Sequence, residues 1–187
     1  MPRISVINSA VPDAIVAGNT SVRPVFSCSS ALTLQSISTI NCFDIANFFL
    51  AQQDENAGDT ISNLKLQKLL YYAQGYHLGM FSSPLFPERI EAWTHGPVVS
   101  AVYHKYKTFS GGAILPTEEI SLKQFTRSQV DFLNEIYNVF GQYSAWKLRD
   151  MTHNEDPWKE TPLNCEISRS VMQNYFKQFI TRDEEQV

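Results

Sequence analysis

A helical hydrophobic period begins at Cys42. Phe43, Ala46, Phe49 and Leu50 fall on one face, with Ile45 and Phe48 widening the stripe. The polar run Asp54 to Asp59, which contains Gly58, ends it. A second helix is expected from Ser62, whose hydroxyl can accept a free amide of the first turn. Leu66, Leu69, Leu70, Ala73 and His77 follow the i, i+3, i+4, i+7, i+11 spacing, and His77 on that face reads as a core or half-buried histidine. Gly79 is the expected stop, because glycine takes a left-handed conformation cheaply. Pro84 and Pro87 forbid helix between Met80 and Arg89, and Leu85-Phe86 with Ile90 to Ala92 fit a short β-pair or β-like arm. Gly96-Pro97 resets the chain, with Pro97 suited to a first helical position ahead of Val98, Val102 and Tyr106.

Residues 107 to 117, with Gly111-Gly112 and Pro116, read as a mobile connection. Thr126 and Gln129 form a capping box before Val130, Leu133, Tyr137 and Phe140, and Gly141 closes that helix. Ser144 caps a short helix through Ala145, Leu148 and Met151. Ser168 caps the last one, with Met172, Tyr175, Phe176 and Phe179 inward and Ile167 placed to staple against Met172. The fold expected is mainly α: a compact single helical domain of about six helices with a minor β-hairpin or β-like arm. It would span residues 42–181, between an irregular N-terminal extension (1–41) and an acidic tail (182–187). Residues 1–41 are rich in Ser and Thr and keep no amphipathic pattern for two turns. They are expected to be a poorly ordered extension, or residues upstream of the true start.

Composition narrows the function classes. A chain of 187 residues fits one domain, and 43% hydrophobic with 12% aromatic residues can build a core that a disordered chain cannot. The net charge of −4 gives no overall case for nucleic acid or an anionic membrane. Cys28, Cys42 and Cys165 are odd in number and form no CxxC pair, which argues against a zinc ribbon or disulfide framework. They fit idle thiols in a reducing compartment. No apolar run approaches the ~20 residues of a membrane helix, and the N-terminus lacks a secretory signal, so a cytoplasmic protein is expected.

Candidate chemistry is sparse. His95, His153, Glu155 and Asp156 could in principle bind a metal, yet their spacing matches no metal motif, and neither metal nor other cofactor is expected. There is no GxSxG, no SxxK and no phosphate loop, so an enzyme is not expected. Nothing in the sequence singles out Glu91 or Glu155 as a general acid or base. Lys65, Lys68, His104, Lys105 and Lys107 make a basic strip with Tyr71, Tyr72, Tyr103 and Tyr106 between them. That strip reads as the solvated side of two amphipathic helices, ahead of nucleic-acid contact. The run Trp93-Thr94-His95-Gly96-Pro97-Val98 differs in kind, as does Pro157-Trp158 at the end of a polar loop from His153 to Asp156. Such tryptophans either plug the edge of a small core or act as rigid anchors at a protein interface.

Four segments occur in a meaningful order: KLQKLLYYA from Lys65 to Ala73, Ala92 to Val98, Leu148 to His153, and Pro157-Trp158. Together they resemble the Panacea domain, an antitoxin module with SocA-type and phage-associated members, over about Phe43 to Phe179. The extension 1–41 departs from that pattern. The resemblance implies an antitoxin that neutralises a cognate toxin by direct binding, the toxin usually being encoded by an adjacent gene. It further implies either sequestration or, as in SocA-type members, delivery of the toxin to a Clp-type protease. The toxin-contact residues expected are Trp93, Thr94, His95, Gly96, Pro97, Val98, Tyr103, Met151, His153, Asp156 and Trp158. The alternatives are a metal-assisted hydrolase using His95, His153 and Glu155, and a weak DNA-binding autoregulator using the lysine strip.

Overall fold

From Lys65 to Tyr76 every residue of one helix is buried, polar and apolar alike. This helix, α2 (Asn63–Phe81), is the axis of a computed structural model that describes Pro2 and residues 4–5, 40–53, 60–115 and 124–181. Around it pack α1 (Cys42–Leu50), α3 (Ser100–Tyr106), α4 (Arg127–Phe140), α5 (Ala145–His153) and α7 (Arg169–Phe176). A four-residue helix, α6 (Asp156–Lys159), bridges α5 and α7. The strands are β1 (Ile4–Ser5), β2 (Glu91–Trp93), β3 (Gly96–Val98) and β4 (Ile180–Thr181). The protein is mainly helical with one antiparallel hairpin, β2–β3. Among the described residues no helix is long and apolar enough to cross a membrane.

A helix covered on all sides must satisfy its polar side chains internally. Gln74 does so by accepting from the amides of Leu85 (2.8 Å) and Phe86 (3.2 Å) and donating to the Phe86 carbonyl (3.0 Å). Gln67 donates to Asn63 Oδ1 (3.0 Å) and accepts from the Val99 amide (2.8 Å). Leu85-Phe86 is therefore not the strand expected: its backbone groups are met by a helix side chain. The hairpin instead pairs Glu91 with Val98, Ala92 with Pro97 and Trp93 with Gly96 across the turn Thr94-His95. Pro97 sits in β3, not at a helix start, and α3 begins at Ser100. On the other edge of β2, Ala92 bonds the Cys165 carbonyl (2.9 Å) and the Asn164 amide bonds the Ala92 carbonyl (2.7 Å).

Local capping chemistry sets the starts of α1, α2, α4 and α5. Ser62 accepts from the Lys65 amide, Ser144 from Lys147, and Thr126 with Gln129 forms the expected capping box. Asn41 with Asp44 forms a second box at α1 that the hydrophobic period does not reveal. Ser168 holds the N-cap position of α7, but its hydroxyl pairs with Ser170 Oγ (2.8 Å) and not with a helix amide. The expected stop of α2 at Gly79 is also corrected. The helix runs to Phe81 and Ser82 takes the left-handed position, its amide reaching the Leu78 carbonyl (2.9 Å). Gly79 instead permits close packing, since a Cβ there would lie 2.9 Å from Ile180 Cδ1 and 3.0 Å from the Lys177 nitrogen. His77 is half-buried, with Nδ1 2.7 Å from the Ser83 carbonyl.

The core is strongly aromatic. Tyr72 stacks on Phe140 (4.0 Å between centroids), and Phe176 of α7 lies against Tyr71, Tyr76 and the bare backbone of Gly75. Each such side chain contributes about 1.5–3 kcal/mol of burial before entropy is subtracted. The connection after α3 is more structured than its glycines suggest. It carries a 3₁₀ turn (Lys107–Phe109), and Ala113 bridges to Ser62. Ile114 is buried, bonding Ile61 by its amide (2.9 Å) and Gln53 Nε2 by its carbonyl (2.9 Å). Residues 116–123 lie outside the described part, as do 6–39 of the irregular extension and the acidic tail 182–187. Of the extension, β1 pairs in parallel with β4, and the Pro2 carbonyl accepts from the Tyr76 hydroxyl (2.6 Å).

Candidate functional site at the hairpin turn and the α5–α6 corner

Gly96 is the pivot of the hairpin. Its φ of +96° lies where side chains rarely fit, and a Cβ there would stand 2.7 Å from both Lys68 Nζ and Thr152 Oγ1. Directly beneath, Lys68 Nζ donates to the Pro97 carbonyl (2.9 Å). The lysine expected on a solvated strip is thus buried, latching the hairpin to α2. Lys65, Tyr71 and Tyr72 are buried as well, so the α2 half of the basic strip is not a surface. What remains exposed of it is His104, Lys105 and Lys107.

The α5–α6 corner is tied to the same helix by Glu155. Both of its carboxyl oxygens accept from tyrosine hydroxyls, Tyr71 and Tyr72, each at 2.8 Å. Burial pushes Glu155 up to about 8, against the pull of those two hydrogen bonds and of Lys68. Burial lowers Lys68 to about 7, the nearby Arg149 charge adding to this and Glu155 opposing it. Burial thus favours the neutral acid form of Glu155. Residues 153–156, read from sequence as a loop, are the end of α5 and the start of α6, with Glu155 between them.

Over this interior latch lies an aromatic layer. His153 stacks flat on Trp158 (3.8 Å, 16°), and Trp158 Nε1 donates to the Trp93 carbonyl (3.0 Å). Trp93 Nε1 donates to Glu91 Oε2 (2.8 Å), and its ring meets the edge of Tyr103 at 4.9 Å. Four of the expected residues, Trp93, Tyr103, His153 and Trp158, thus form one continuous half-buried row. Thr94, His95 and Asp156 are exposed and Met151 is half-buried. Gly96, Pro97 and Val98 are buried, so they shape the turn from within.

Trp146 completes the surface, and the sequence reading missed it. It is 61% exposed, with the His95 ring edge-on at 6.0 Å. The signal was available: with Ala145, Leu148 and Met151 inward, the α5 period turns Trp146 outward. Among the described residues no three of His, Cys, Asp and Glu are grouped to hold a metal ion. His95 is exposed in the turn and Glu155 is taken by the tyrosines, so the trio suggested for metal-assisted hydrolysis is not assembled.

Residues 66–159 match the family model for the antitoxin SocA-like, Panacea domain, half of the chain. The chain belongs to this family. No curated protein and no solved structure matches it. The matched span runs from the first buried leucine of the axial helix to the last residue of α6. Within this Panacea domain lie Lys68, the hairpin, Trp146, Glu155 and Trp158, while α1 and α7 pack onto it from outside the matched residues.

Proposed function

We propose that this Panacea-domain protein is a non-enzymatic antitoxin that neutralises a cognate toxin, encoded by an adjacent gene, through direct protein contact. The contact surface is the rim formed by Thr94, His95 and Trp146, backed by the Trp93–Tyr103 and His153–Trp158 rows. The observation that carries this reading is Trp146 at 61% exposure, beside a turn clamped from below by Lys68 and Gly96. A large rigid aromatic on a preorganised support is the kind of group that dominates binding energy at protein interfaces. Burial of Lys65 and Lys68 cuts the basic strip that DNA binding would have used down to His104, Lys105 and Lys107. Delivery of the bound toxin to a Clp-type protease would add a second partner to the same complex; sequestration needs none.

Co-expression with each neighbouring open reading frame tests the proposal, scoring growth and co-purification together. One neighbour is expected to be toxic alone, harmless with this protein and recovered bound to it. Trp146→Ala should abolish recovery while the melting temperature stays within a few degrees. If no neighbour is toxic or bound, the antitoxin reading falls. If Trp146→Ala binds as well as wild type, the rim is not the contact surface.

A further inference from the structure

We infer that the hairpin turn is a proton-operated latch: an uncharged Lys68 amine holds it closed against α2, and a proton taken up by that amine releases it. On the proposed antitoxin function this governs how the rim of Thr94, His95 and Trp146 is presented to the toxin, while the latch itself is a property of the chain alone. Lys68 is fully buried, at 0% exposure. A Cβ on Gly96 would stand 2.7 Å from Nζ and 2.9 Å from Cε, so the bare backbone of Gly96 covers the amine next to the exposed pair Thr94-His95. Among the described residues Nζ has one acceptor, the Pro97 carbonyl at 2.9 Å, and no carboxylate pairs with it. A charged ammonium carries three donors, and burying it with one acceptor and no counter-charge is costly. A neutral amine makes the same bond and leaves no charge unpaired.

The titratable groups around Lys68 do not supply the missing charge. Glu155, between α5 and α6, has both oxygens engaged by Tyr71 and Tyr72 of α2, and burial favours its neutral form. On α5, Arg149 repels a charge on Lys68 and is itself paired with Asp150 at 2.8 Å; His153 follows on the same helix, and His95 sits in the turn. Burial first and Arg149 second lower Lys68 to about 7 from 10.5, with Glu155 opposing.

The part free to open is small. The Trp93 carbonyl is pinned by Trp158 Nε1 (3.0 Å), and Ala92 by its bonds to Asn164 (2.7 Å) and Cys165 (2.9 Å). At the other end the Val99 amide is fixed to Gln67 (2.8 Å). Between these pins, the side-chain hydrogen bond that joins residues 94–98 to α2 is that of Lys68, so opening there lets water reach Nζ while the pins hold. In the opened turn Lys68 returns to its ordinary 10.5, whereas the closed turn holds it at about 7. Between these values opening takes up a proton. The opened fraction therefore falls about tenfold for each pH unit gained from 7 upwards, and is level below 7. That window lies above the ordinary histidine range.

Hydrogen exchange of the full chain at pH 7, 8 and 9, read at the Gly96, Val98 and Val99 amides, tests the latch. Intrinsic amide exchange accelerates about tenfold per pH unit, which the falling opened fraction cancels. Wild-type exchange at these amides is therefore expected to stay level from pH 7 to 9. In Lys68→Met, which fills the site but does not titrate, it should accelerate about a hundredfold. Wild-type exchange that accelerates about tenfold per unit would overturn the inference, as would level exchange in both proteins. A second measurement needs no variant: at pH 9 the Lys68 Nζ resonance should be that of a neutral amine, and an ammonium resonance there would also overturn it. Both readouts use the chain alone, so they succeed or fail separately from the antitoxin reading. Saturating toxin, identified by co-expression, should slow exchange of the same amides at least about tenfold. No slowing would overturn the link between latch and recognition.

Discussion

Replacing Glu155 with glutamine isolates a proton whose position the fold controls. In the unfolded chain this carboxyl titrates near 4.5, while burial holds it at about 8 in the folded state. Between those values the unfolded chain has released the proton and the folded chain keeps it. Stability therefore falls as pH rises through this window, beginning near 4.5 and finishing near 8. At about 1.4 kcal/mol per pH unit the fall is on the order of 3–5 kcal/mol, the lower end allowing for coupling to Lys68. Lys68 works in the opposite sense. Lowered to about 7 from 10.5, it is destabilising below 7 and relieved as pH rises towards 10.5. His77 and His153, both lowered, add a rising slope on the acid side of 6.5.

Subtracting the variant from the wild type removes these other contributions. Glutamine keeps the shape and can still accept from a tyrosine hydroxyl, but it does not titrate. Urea denaturation at pH 5, 6, 7 and 8 should find the two proteins within about 1 kcal/mol at pH 5. At pH 8 the glutamine variant should have gained roughly 2–4 kcal/mol on the wild type. A difference that stays constant from pH 5 to pH 8 would refute the reasoning. It would mean that Glu155 is ionised in the folded protein throughout, the two tyrosine hydroxyls having outweighed burial.

Gly96→Ala should destabilise by about 2–4 kcal/mol in the same assay, combining an unfavourable φ of +96° with a Cβ in the space of Lys68 Nζ and Thr152 Oγ1. Gln74→Ala removes both amide contacts and the carbonyl contact to Leu85-Phe86; a loss of about 2–4 kcal/mol is expected, read by urea denaturation. Trp158→Phe keeps a ring for His153 to stack on but loses the bond to the Trp93 carbonyl, so urea denaturation should show a cost of only about 0.5–1.5 kcal/mol.

What the sequence disclosed follows how local the controlling chemistry is. Of the hairpin only the stretch to Ala92 was expected as strand, whereas the capping box at Thr126 and the Ser144 cap act over three residues and were legible. The face of α2 was not. A helix enclosed all round loses its polar stripe, so Lys68 reads as solvent-facing although its partner lies 29 residues away, and Gln74 gives no sign of its bonds to residues 11–12 away. Pro97 obeyed its own local preference on paper, but pairing with Ala92 placed it in a strand. Glu155 gave no signal, because its partners Tyr71 and Tyr72 lie more than 80 residues earlier in the chain. Trp93 and Trp158 stood out by residue type alone.

The turn Thr94-His95 contributes two exposed side chains, while the groups that fix its path, Gly96 and Lys68, sit beneath it. On the proposed function, stability and recognition fall to different residues a few ångströms apart. Two outward positions can be rewritten without disturbing what holds the loop in shape, which makes the hairpin a graft site where new target preferences could be selected on an unchanged frame.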